Sequence, residues 1–404
     1  MIHMQQNLNE ITFLFSELEK LERVRDISPD DIFSNSSIAF LSALSSELIK
    51  SPGTKQFSDV ATFAFFCRKA NLFALKKKYT EESIRLGRGV IFHVAPSNVP
   101  VNFGYSMVAG ILSGNVNIVR VPSKSFEQVE IICNAIKKVA SKPEFNEIED
   151  RLFLIKYDRQ SGATNFLSSL CDVRVIWGGD DTIAQIRKFA IPARAYDVTF
   201  ADRYSFAAIN ADKLVKEQNI DKVAEHFYND TYLFDQNACS APHLVIWTGK
   251  MDNIKNAKDL FWNAIQLKIK EYELSPKITV DKLVSLYMQS QDNVDIIREL
   301  PTDNKLWRIK VSQLSADIDQ YRCAGGYFLE YDATSLTELK TIVNRKYQTM
   351  AYYGYDKDDL INFVKEMRFN GIDRIVPIGK TTDFNLIWDG YDLINVLSRE
   401  CMVL

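Results

Sequence analysis

The fold is decided by the stretch Gly89-Val-Ile-Phe-His-Val94, a turn with two prolines, Tyr105-Ser-Met-Val-Ala-Gly-Ile-Leu112 and Val116-Asn-Ile-Val-Arg-Val121. The two short apolar runs predict buried strands, because they are too short for helices and are bounded by turn residues. The segment between them predicts a helix. A strand, a helix and a second strand at this spacing predict a parallel pair of strands whose sheet is covered by helices on both faces.

The alternation of strands and helices continues on both sides of this stretch. Further strands are predicted at residues 152–155, 173–177, 206–209, 244–248, 326–331 and 373–377. Helices are predicted at residues 8–50, 57–79, 221–234, 254–274, 278–289, 335–347 and 356–370. Residues 290–320 are polar and weakly patterned, and no element is predicted there. The pattern predicts an α/β protein with two parallel sheets and a helical N-terminal segment.

Size and composition limit the function classes. The 404 residues suffice for two domains, and hydrophobic and charged fractions of 46% and 25% are typical of a globular protein. The 49 basic and 52 acidic residues are well mixed, which predicts no nucleic-acid or membrane-surface partner. No apolar run reaches the ~18 residues that span a bilayer, and the polar N-terminus lacks a signal-peptide pattern, so we expect a cytoplasmic protein. Six scattered cysteines and four histidines predict neither a disulfide framework nor a metal site.

One cysteine lies in a setting that suits a nucleophile. The loop Asp235-Gln-Asn-Ala-Cys239-Ser-Ala-Pro-His243 follows the predicted helix at 221–234 and precedes an apolar strand. Because the neighbours of Cys239 are small, its sulfur is accessible to a bound substrate. The other five cysteines have no comparable setting. The alternative is that Cys239 is a small buried apolar residue, as cysteines often are.

Two further turns follow predicted strands. Asn98 lies between Pro96 and Pro100, whose rings fix where its side-chain amide points. An amide at the end of a parallel strand suits an oxyanion donor, and the alternative is an ordinary Asx turn. Gly178-Gly179 allows close approach of the backbone to a ligand, although the following aspartates would repel phosphate and also serve as helix caps. No G-x-G-x-x-G follows a strand, so the standard dinucleotide fingerprint is absent.

In this order and spacing, the elements resemble the aldehyde dehydrogenase superfamily. The matching segments are Pro96-Ser-Asn98-Val-Pro100, Ser113-Gly-Asn115 through Val121-Pro-Ser123, Gly178-Gly179 and Gln236-Asn-Ala-Cys239. More narrowly, the chain resembles the acyl-CoA reductase family, which includes the fatty-acid reductase subunits of bacterial bioluminescence. That resemblance rests on Trp177-Gly-Gly179-Asp, Phe234-Asp-Gln-Asn-Ala-Cys239-Ser, Asp373-Arg-Ile-Val-Pro-Ile-Gly379 and Trp388-Asp-Gly390, and the whole resemblance covers roughly residues 85–400.

The resemblance implies an aldehyde dehydrogenase-like fold and a division of labour along the chain. It implies N-terminal helices at 1–80 packed on the cofactor domain, an NAD(P)-binding domain at 81–208, a catalytic domain at 209–372 and a C-terminal segment at 373–404 that returns to the first domain. Cys239 is then the nucleophile and Asn98 the oxyanion donor. The implied cofactor contacts are Ala95, Pro96, Arg120, Pro122, Ser123, Lys124, Gly178 and Gly179.

Departures from the superfamily pattern refine the expected reaction. Phe200 stands where the superfamily carries the glutamate that activates water, which favours reduction of a thioester over hydrolysis. Lys124 replaces the glutamate that binds the adenosine ribose, and an ammonium group there favours the 2′-phosphate of NADPH. Arg120 lies one residue before the expected lysine, so strand alternation points it to the other face. His243 is a candidate acid or base, and the alternative is a histidine that hydrogen-bonds at the start of a buried strand.

We therefore expect NADPH-dependent reduction of an acyl-CoA or acyl-carrier thioester to an aldehyde, through a thioester on Cys239. The alternatives are a hydrolytic aldehyde dehydrogenase, an acyl-phosphate reductase or a non-catalytic acyl-transfer partner. An acyl-protein synthetase or transferase subunit is a candidate partner. A homo-oligomer is a further expectation from the superfamily, although residues 79–88 are short for its dimerisation arm. The acyl chain, the donor thiol and the oligomeric state stay open.

Overall fold

The computed structural model describes residues 10–79, 84–96, 99–292, 296–299 and 303–403. The chain divides into two compact units, Met1–Ala201 with Leu386–Leu404, and Asp202–Asn385. Each unit is built on its own, largely parallel sheet with helices packed against it, which confirms the predicted α/β class. Within the described residues, no helix is both long and apolar enough to cross a membrane.

The elements are numbered here in chain order. The strands are β1 (Thr12–Phe15), β2 (Ile84–Gly87), β3 (Val90–Val94), β4 (Val116–Arg120), β5 (Leu152–Lys156), β6 (Val173–Trp177), β7 (Tyr196–Phe200), β8 (Tyr204–Asn210), β9 (Pro242–Thr248), β10 (Ile296–Glu299), β11 (Trp307–Val311), β12 (Tyr327–Asp332), β13 (Tyr347–Tyr353), β14 (Arg374–Pro377), β15 (Ile387–Trp388), β16 (Tyr391–Asp392) and β17 (Ser398–Cys401). The helices are α1 (Leu18–Leu21), α2 (Asn35–Lys50), α3 (Ser58–Phe66), α4 (Lys69–Lys76), α5 (Asn102–Leu112), α6 (Glu127–Ala140), α7 (Ile148–Arg151), α8 (Ala163–Leu170), α9 (Asp180–Ile186), α10 (Ala211–Leu214), α11 (Ile220–Thr231), α12 (Met251–Lys268), α13 (Pro276–Asp292), α14 (Lys357–Met367) and α15 (Leu393–Leu397).

The sheet of the first unit has six strands in the order β1-β5-β4-β3-β6-β7. All neighbours are parallel except β1, which runs antiparallel to β5 at the edge. Strands β3, β4 and β6 are buried along their whole length, as their runs of valine and isoleucine require of a sheet covered on both faces. The predicted helix at 8–50 was wrong at its start, because Thr12-Phe-Leu-Phe15 is rich in strand-forming residues and pairs with β5.

The sheet of the second unit has seven strands in the order β10-β11-β12-β9-β8-β13-β14. Only β10 is antiparallel to its neighbour. Residues 335–347 were predicted as a helix, but they form a short 3-10 turn at Leu336–Thr341 that leads into β13. The unassigned segment 290–320 contributes β11 and, within its described part, β10.

The boundaries of the two units differ from the predicted domain limits. The predicted limit at residue 208 lies within β8, whereas the first unit gives way to the second after Ala201. The predicted C-terminal segment 373–404 is divided as well, because β14 pairs with β13 in the second sheet while the residues from Leu386 onward belong to the first unit. In the first unit, β17 pairs antiparallel with β2.

Candidate active site

The loop that carries Cys239 is held in an unusual backbone conformation. It leaves α11 through a short 3-10 turn and enters β9 at Pro242. Asp235 and Gln236 both lie in the left-handed region, with φ angles of 50° and 61°. Residues with side chains adopt this conformation rarely, at a cost of about 1–2 kcal/mol each. The loop therefore needs strong anchors.

Gln236 is the main anchor of this loop. Its side chain is 1% exposed, and its Oε1 accepts the N–H groups of Gly326 at 2.9 Å and Tyr327 at 3.1 Å. Its Nε2 donates to the carbonyls of Pro242 at 2.9 Å and Tyr327 at 3.1 Å. Both ends of the amide are thus satisfied by backbone groups at the amino ends of β9 and β12. A second anchor is Asp235, whose carboxylate accepts the Tyr272 hydroxyl at 2.6 Å.

Two further strands of the same sheet, β8 and β13, contact Cys239 near their amino ends. Ser205 in β8 donates its hydroxyl to the Cys239 carbonyl at 2.7 Å, and the N–H of Thr349 in β13 donates to Ser205 Oγ at 3.1 Å. The Nε2 of Gln348 lies 3.3 Å from Cys239 Sγ. The sequence analysis missed Gln348 because the residues before it were predicted as a helix, and it missed Ser205 because that strand was predicted to begin at residue 206.

Exposure separates Cys239 from most other cysteines. Cys239 and Cys401 are exposed, whereas Cys67, Cys133, Cys171 and Cys323 are buried. Burial raises the pKa values of the Cys133 and Cys171 thiols to about 12 and raises the pKa of the Cys67 thiol further. A buried thiol of this kind stays protonated and unreactive at neutral pH. Cys239 lies on an exposed, anchored loop, as an accessible sulfur requires, and its role as a nucleophile stays a prediction.

His243 occupies the extra position of a β-bulge. Strand β8 pairs Ser205 with Pro242 and Phe206 with Leu244, so His243 between them has no partner residue. The ring is buried, and its Nδ1–H donates to the Cys323 carbonyl at 3.2 Å. Burial, together with the charge of Arg322, lowers the pKa of His243 to about 3, so the ring is neutral at pH 7. A catalytic role for His243 stays a prediction. The contacts are those expected of the alternative, a histidine that hydrogen-bonds at the start of a buried strand.

The turn predicted to carry the oxyanion donor is described only in part. Asn98 lies outside the described residues. Ala95 and Pro96 follow β3, and the N–H of Ala95 donates to the carbonyl of Arg120 at 3.2 Å, which ties the start of the turn to β4. Among the residues that the structure describes, no group of three His, Cys, Asp or Glu side chains is arranged to hold a metal ion.

An open groove lies beyond the carboxyl ends of β4 and β5 in the first unit. Its volume is about 780 Å³, and its lining includes the predicted cofactor residues Ser123 and Lys124. Lys156 and Arg159 also line it and were missed by the sequence analysis, although a Lys-x-x-Arg sequence directly after a strand was visible. Against these three cations the groove carries two acidic residues, Glu10 and Asp158. This chemistry fits the phosphates of a dinucleotide.

Arg120 contacts two residues that line this groove, Ser123 and Tyr157. Its guanidinium group is buried, donates to the Tyr157 carbonyl at 3.2 Å and to Ser123 Oγ at 3.4 Å, and stacks 4.5 Å from the centre of the Tyr157 ring. Burial lowers the pKa of Arg120. Pro122, also predicted to contact the cofactor, is buried beside it. In the structure Arg120 braces Ser123 and Tyr157, and its contact with a cofactor stays a prediction.

The glycine pair lies at the end of β6, next to an aromatic stack. The N–H of Gly178 donates to the Phe200 carbonyl at 3.1 Å. Apart from the chain neighbours of Gly179, no described residue has an atom within 4 Å of where a side chain on Gly179 would begin. Phe200 is buried and stacks on Trp177 with the ring centres 3.7 Å apart. The indole N–H of Trp177 donates to Ser106 Oγ at 3.0 Å. The role of the glycine pair in cofactor binding stays a prediction.

Comparison with known proteins gives three findings. A family model described as acyl-CoA reductase (LuxC) matches residues 71–400. The long-chain acyl-protein thioester reductase of Aliivibrio fischeri is 23% identical over 305 residues, which are 74% of this chain and 60% of that protein. The chain thus matches less than two thirds of the length of this relative.

The third finding concerns solved structures. The NAD-dependent benzaldehyde dehydrogenase of Corynebacterium glutamicum matches with a TM-score of 0.62 and 12% identity, covering 98% of this chain and 88% of that one. The 1-pyrroline-5-carboxylate dehydrogenase from Thermus, solved with bound NAD, matches with a TM-score of 0.62 and 14% identity, covering 99% and 85%. These matches confirm the aldehyde dehydrogenase-like fold.

Proposed function

This chain belongs to the acyl-CoA reductase (LuxC) family, and from that premise we propose that it reduces an acyl thioester to an aldehyde with NADPH. The observation that carries the proposal is the exposed Cys239 on a loop whose position is fixed by the buried amide of Gln236. A fixed, accessible sulfur suits nucleophilic attack on a carbonyl.

The chain's own residues account for the acyl transfer. The Cys239 sulfur attacks the thioester carbonyl, the C–S bond to the donor breaks, and the donor leaves as a thiol while the acyl group stays on Cys239. We assign the amide of Asn98 and the backbone N–H of Cys239 to the developing oxyanion. Bound NADPH supplies the hydride that reduces the acyl group to the aldehyde level. The carbon–sulfur bond to Cys239 then breaks, which releases the aldehyde and the thiolate.

The surroundings of Phe200 support reduction over hydrolysis. A hydrolytic aldehyde dehydrogenase needs a general base that deprotonates water at the acyl-enzyme. Phe200, at the position of that base in the superfamily, is an apolar ring buried in a stack with Trp177. A hydrocarbon ring cannot accept a proton from water. The acyl group is therefore left for reduction.

The groove of the first unit supports NADPH as the reductant. NADPH differs from NADH by a 2′-phosphate on the adenosine ribose, so a site that prefers it needs cations. Lys124, Lys156 and Arg159 line the groove, and each can form charge-assisted hydrogen bonds with phosphate oxygens. Lys124 also replaces the glutamate that would repel a 2′-phosphate. We assign these three side chains and Ser123 to the cofactor.

The donor is a thioester of CoA, of an acyl carrier or of an acylated protein. The relative from Aliivibrio fischeri is named as an acyl-protein thioester reductase, which places a protein donor among the candidates. An acyl-transferring partner subunit would fit such a donor. Saturated acyl groups of different lengths are the candidates for assay.

The test is a panel of acyl thioesters assayed with NADPH and with NADH, following nicotinamide absorbance and aldehyde release. We expect turnover with NADPH, a radiolabelled acyl group on Cys239 when the cofactor is omitted, and loss of both in Cys239→Ser. Release of free acid from an aldehyde supplied with NAD⁺ or NADP⁺ as the oxidant would instead support a hydrolytic enzyme. Acyl labelling of Cys239 without reduction under either cofactor would support the acyl-transfer partner and refute the reductase.

A further inference from the structure

Gln348 places the amide of a fully buried side chain at the sulfur of Cys239. It is the second residue of β13 and is 0% exposed. Its Nε2 lies 3.3 Å from Cys239 Sγ, and its Oε1 lies 3.2 Å from the Thr349 hydroxyl. Because a thiolate only accepts hydrogen bonds, the NH₂ end of the amide is the end that pairs with it, and Oε1 then accepts the Thr349 hydroxyl. The two residues are 109 positions apart in the chain.

A bulge in β13 directs this side chain. Tyr347 pairs with Tyr204 and Met350 pairs with Phe206, so β13 has one residue more than β8 between these pairs. Gln348 and Thr349 occupy that irregular stretch. In a regular strand, successive side chains point to opposite faces of the sheet. A bulge breaks this alternation and changes the direction of the side chains within it. The N–H of Thr349 is tied to Ser205 Oγ, whose hydroxyl donates to the Cys239 carbonyl, so one side of the bulge is fixed to the same loop.

An amide N–H at sulfur favours the thiolate over the thiol. A hydrogen bond to an ionised acceptor is stronger than one to its neutral form, so the donor stabilises the charged state. The effect also applies when the thiolate departs from carbon at the end of the reaction. Since an amide does not titrate, its contribution is the same at every pH at which the protein is folded.

We propose that Gln348 is the hydrogen-bond donor that stabilises the thiolate of Cys239, both when the sulfur attacks the thioester and when it leaves the reduced acyl group. The catalytic meaning of this inference rests on the proposed function, whereas the effect on the sulfur does not. A neutral amide stabilises the thiolate by hydrogen bonding alone and does not act as the acid or base that His243 was predicted to be. His243 donates to the Cys323 carbonyl in the buried bulge of β9 instead.

The test measures the pH dependence of alkylation of Cys239 by iodoacetamide, read by peptide mass spectrometry on the whole chain. Gln348→Met keeps the length of the side chain and removes the donor. We expect the midpoint of the profile to rise by about one pH unit, so that alkylation at pH 7 slows by about tenfold. Gln348→Glu keeps the shape and adds a negative charge, and we expect a larger rise.

Two controls separate this role from a structural one. Gln289 on α13 is also a buried glutamine, and its Oε1 accepts the Tyr327 hydroxyl at 3.2 Å, so Gln289→Met removes a buried amide at a different place. We expect no change of the Cys239 profile in Gln289→Met. Cys401 is exposed in the first unit and serves as an internal reference whose profile stays the same in every variant.

The inference is overturned if the profile of Cys239 is the same in Gln348→Met, Gln348→Glu and the unchanged protein. If Gln348→Met does not fold, Gln348→Glu, which differs by one atom type, decides the result. Because alkylation needs neither thioester nor cofactor, a shifted profile in a protein that reduces no thioester would refute the proposed function and leave the inference standing. An unchanged Cys239 profile in variants of a protein that does reduce thioesters would refute the inference and leave the proposed function standing.

Discussion

Removal of the Gln236 amide is the sharpest test of how the nucleophile loop is held. In Gln236→Met the four hydrogen bonds to Gly326, Tyr327 and Pro242 are lost. At about 1 kcal/mol for each bond, the free energy of unfolding of the second unit falls by about 4 kcal/mol. The methionine keeps the length of the side chain, so the loss of packing is small. The left-handed φ at this position persists in the variant, now without the bonds that offset its cost.

Urea unfolding and hydrogen exchange measure this effect. We expect the N–H groups of Gly326 and Tyr327 to exchange much faster in Gln236→Met, because both lose their acceptor. We also expect acylation of Cys239 to slow by at least tenfold, since a loosened loop no longer holds the sulfur in one position. Gln289→Met, which removes a single hydrogen bond to a buried glutamine, is the matched control and should lose about 1 kcal/mol. A loss below 1 kcal/mol in Gln236→Met, with unchanged acylation, would refute this account of the loop.

Three further predictions concern the cofactor, the response to pH and the backbone beside the loop. Single alanine substitutions of Lys124, Lys156 and Arg159 are expected to raise KM for NADPH by about tenfold each and to raise KM for NADH by less, because NADH lacks the 2′-phosphate; steady-state kinetics measures both. The pKa of His243 is lowered from 6.5 to about 3, so the unfolded chain binds a proton that the folded one does not, and stability falls as pH drops below 6.5. His243→Asn is therefore expected to weaken the pH dependence of urea unfolding between pH 6 and 4 by up to about 1.4 kcal/mol per pH unit, and an unchanged slope would contradict the lowered pKa. Gly326 has a φ of 86°, and a Cβ there would lie 2.1 Å from the Lys305 carbonyl. Gly326→Ala is therefore expected to lower the free energy of unfolding in urea by several kcal/mol and to slow acylation of Cys239 as well.

Much of the candidate site was visible in local sequence. Cys239 lies among small residues between a helix and a strand, and this setting predicted an exposed sulfur, which the structure has. The resemblance to the superfamily implied a cofactor contact at Ser123 and Lys124; both line the groove, and the contact itself stays a prediction. Such features depend on a few neighbouring residues, so they can be inferred without the fold. The assignment of Asn98 lies outside the described residues and stays a prediction.

By itself, the sequence determined the α/β class, because runs such as Val90–Val94 and Val116–Arg120 are apolar throughout and are separated by a helical pattern. It did not determine β13, since Tyr347-Gln-Thr-Met has polar residues that only a bulge and a neighbouring loop satisfy. Only the tertiary structure brought Ser205 and Gln348 to Cys239. The physical reason is that parallel strands pair with partners far away in the chain, and their register and bulges are set by the assembled sheet.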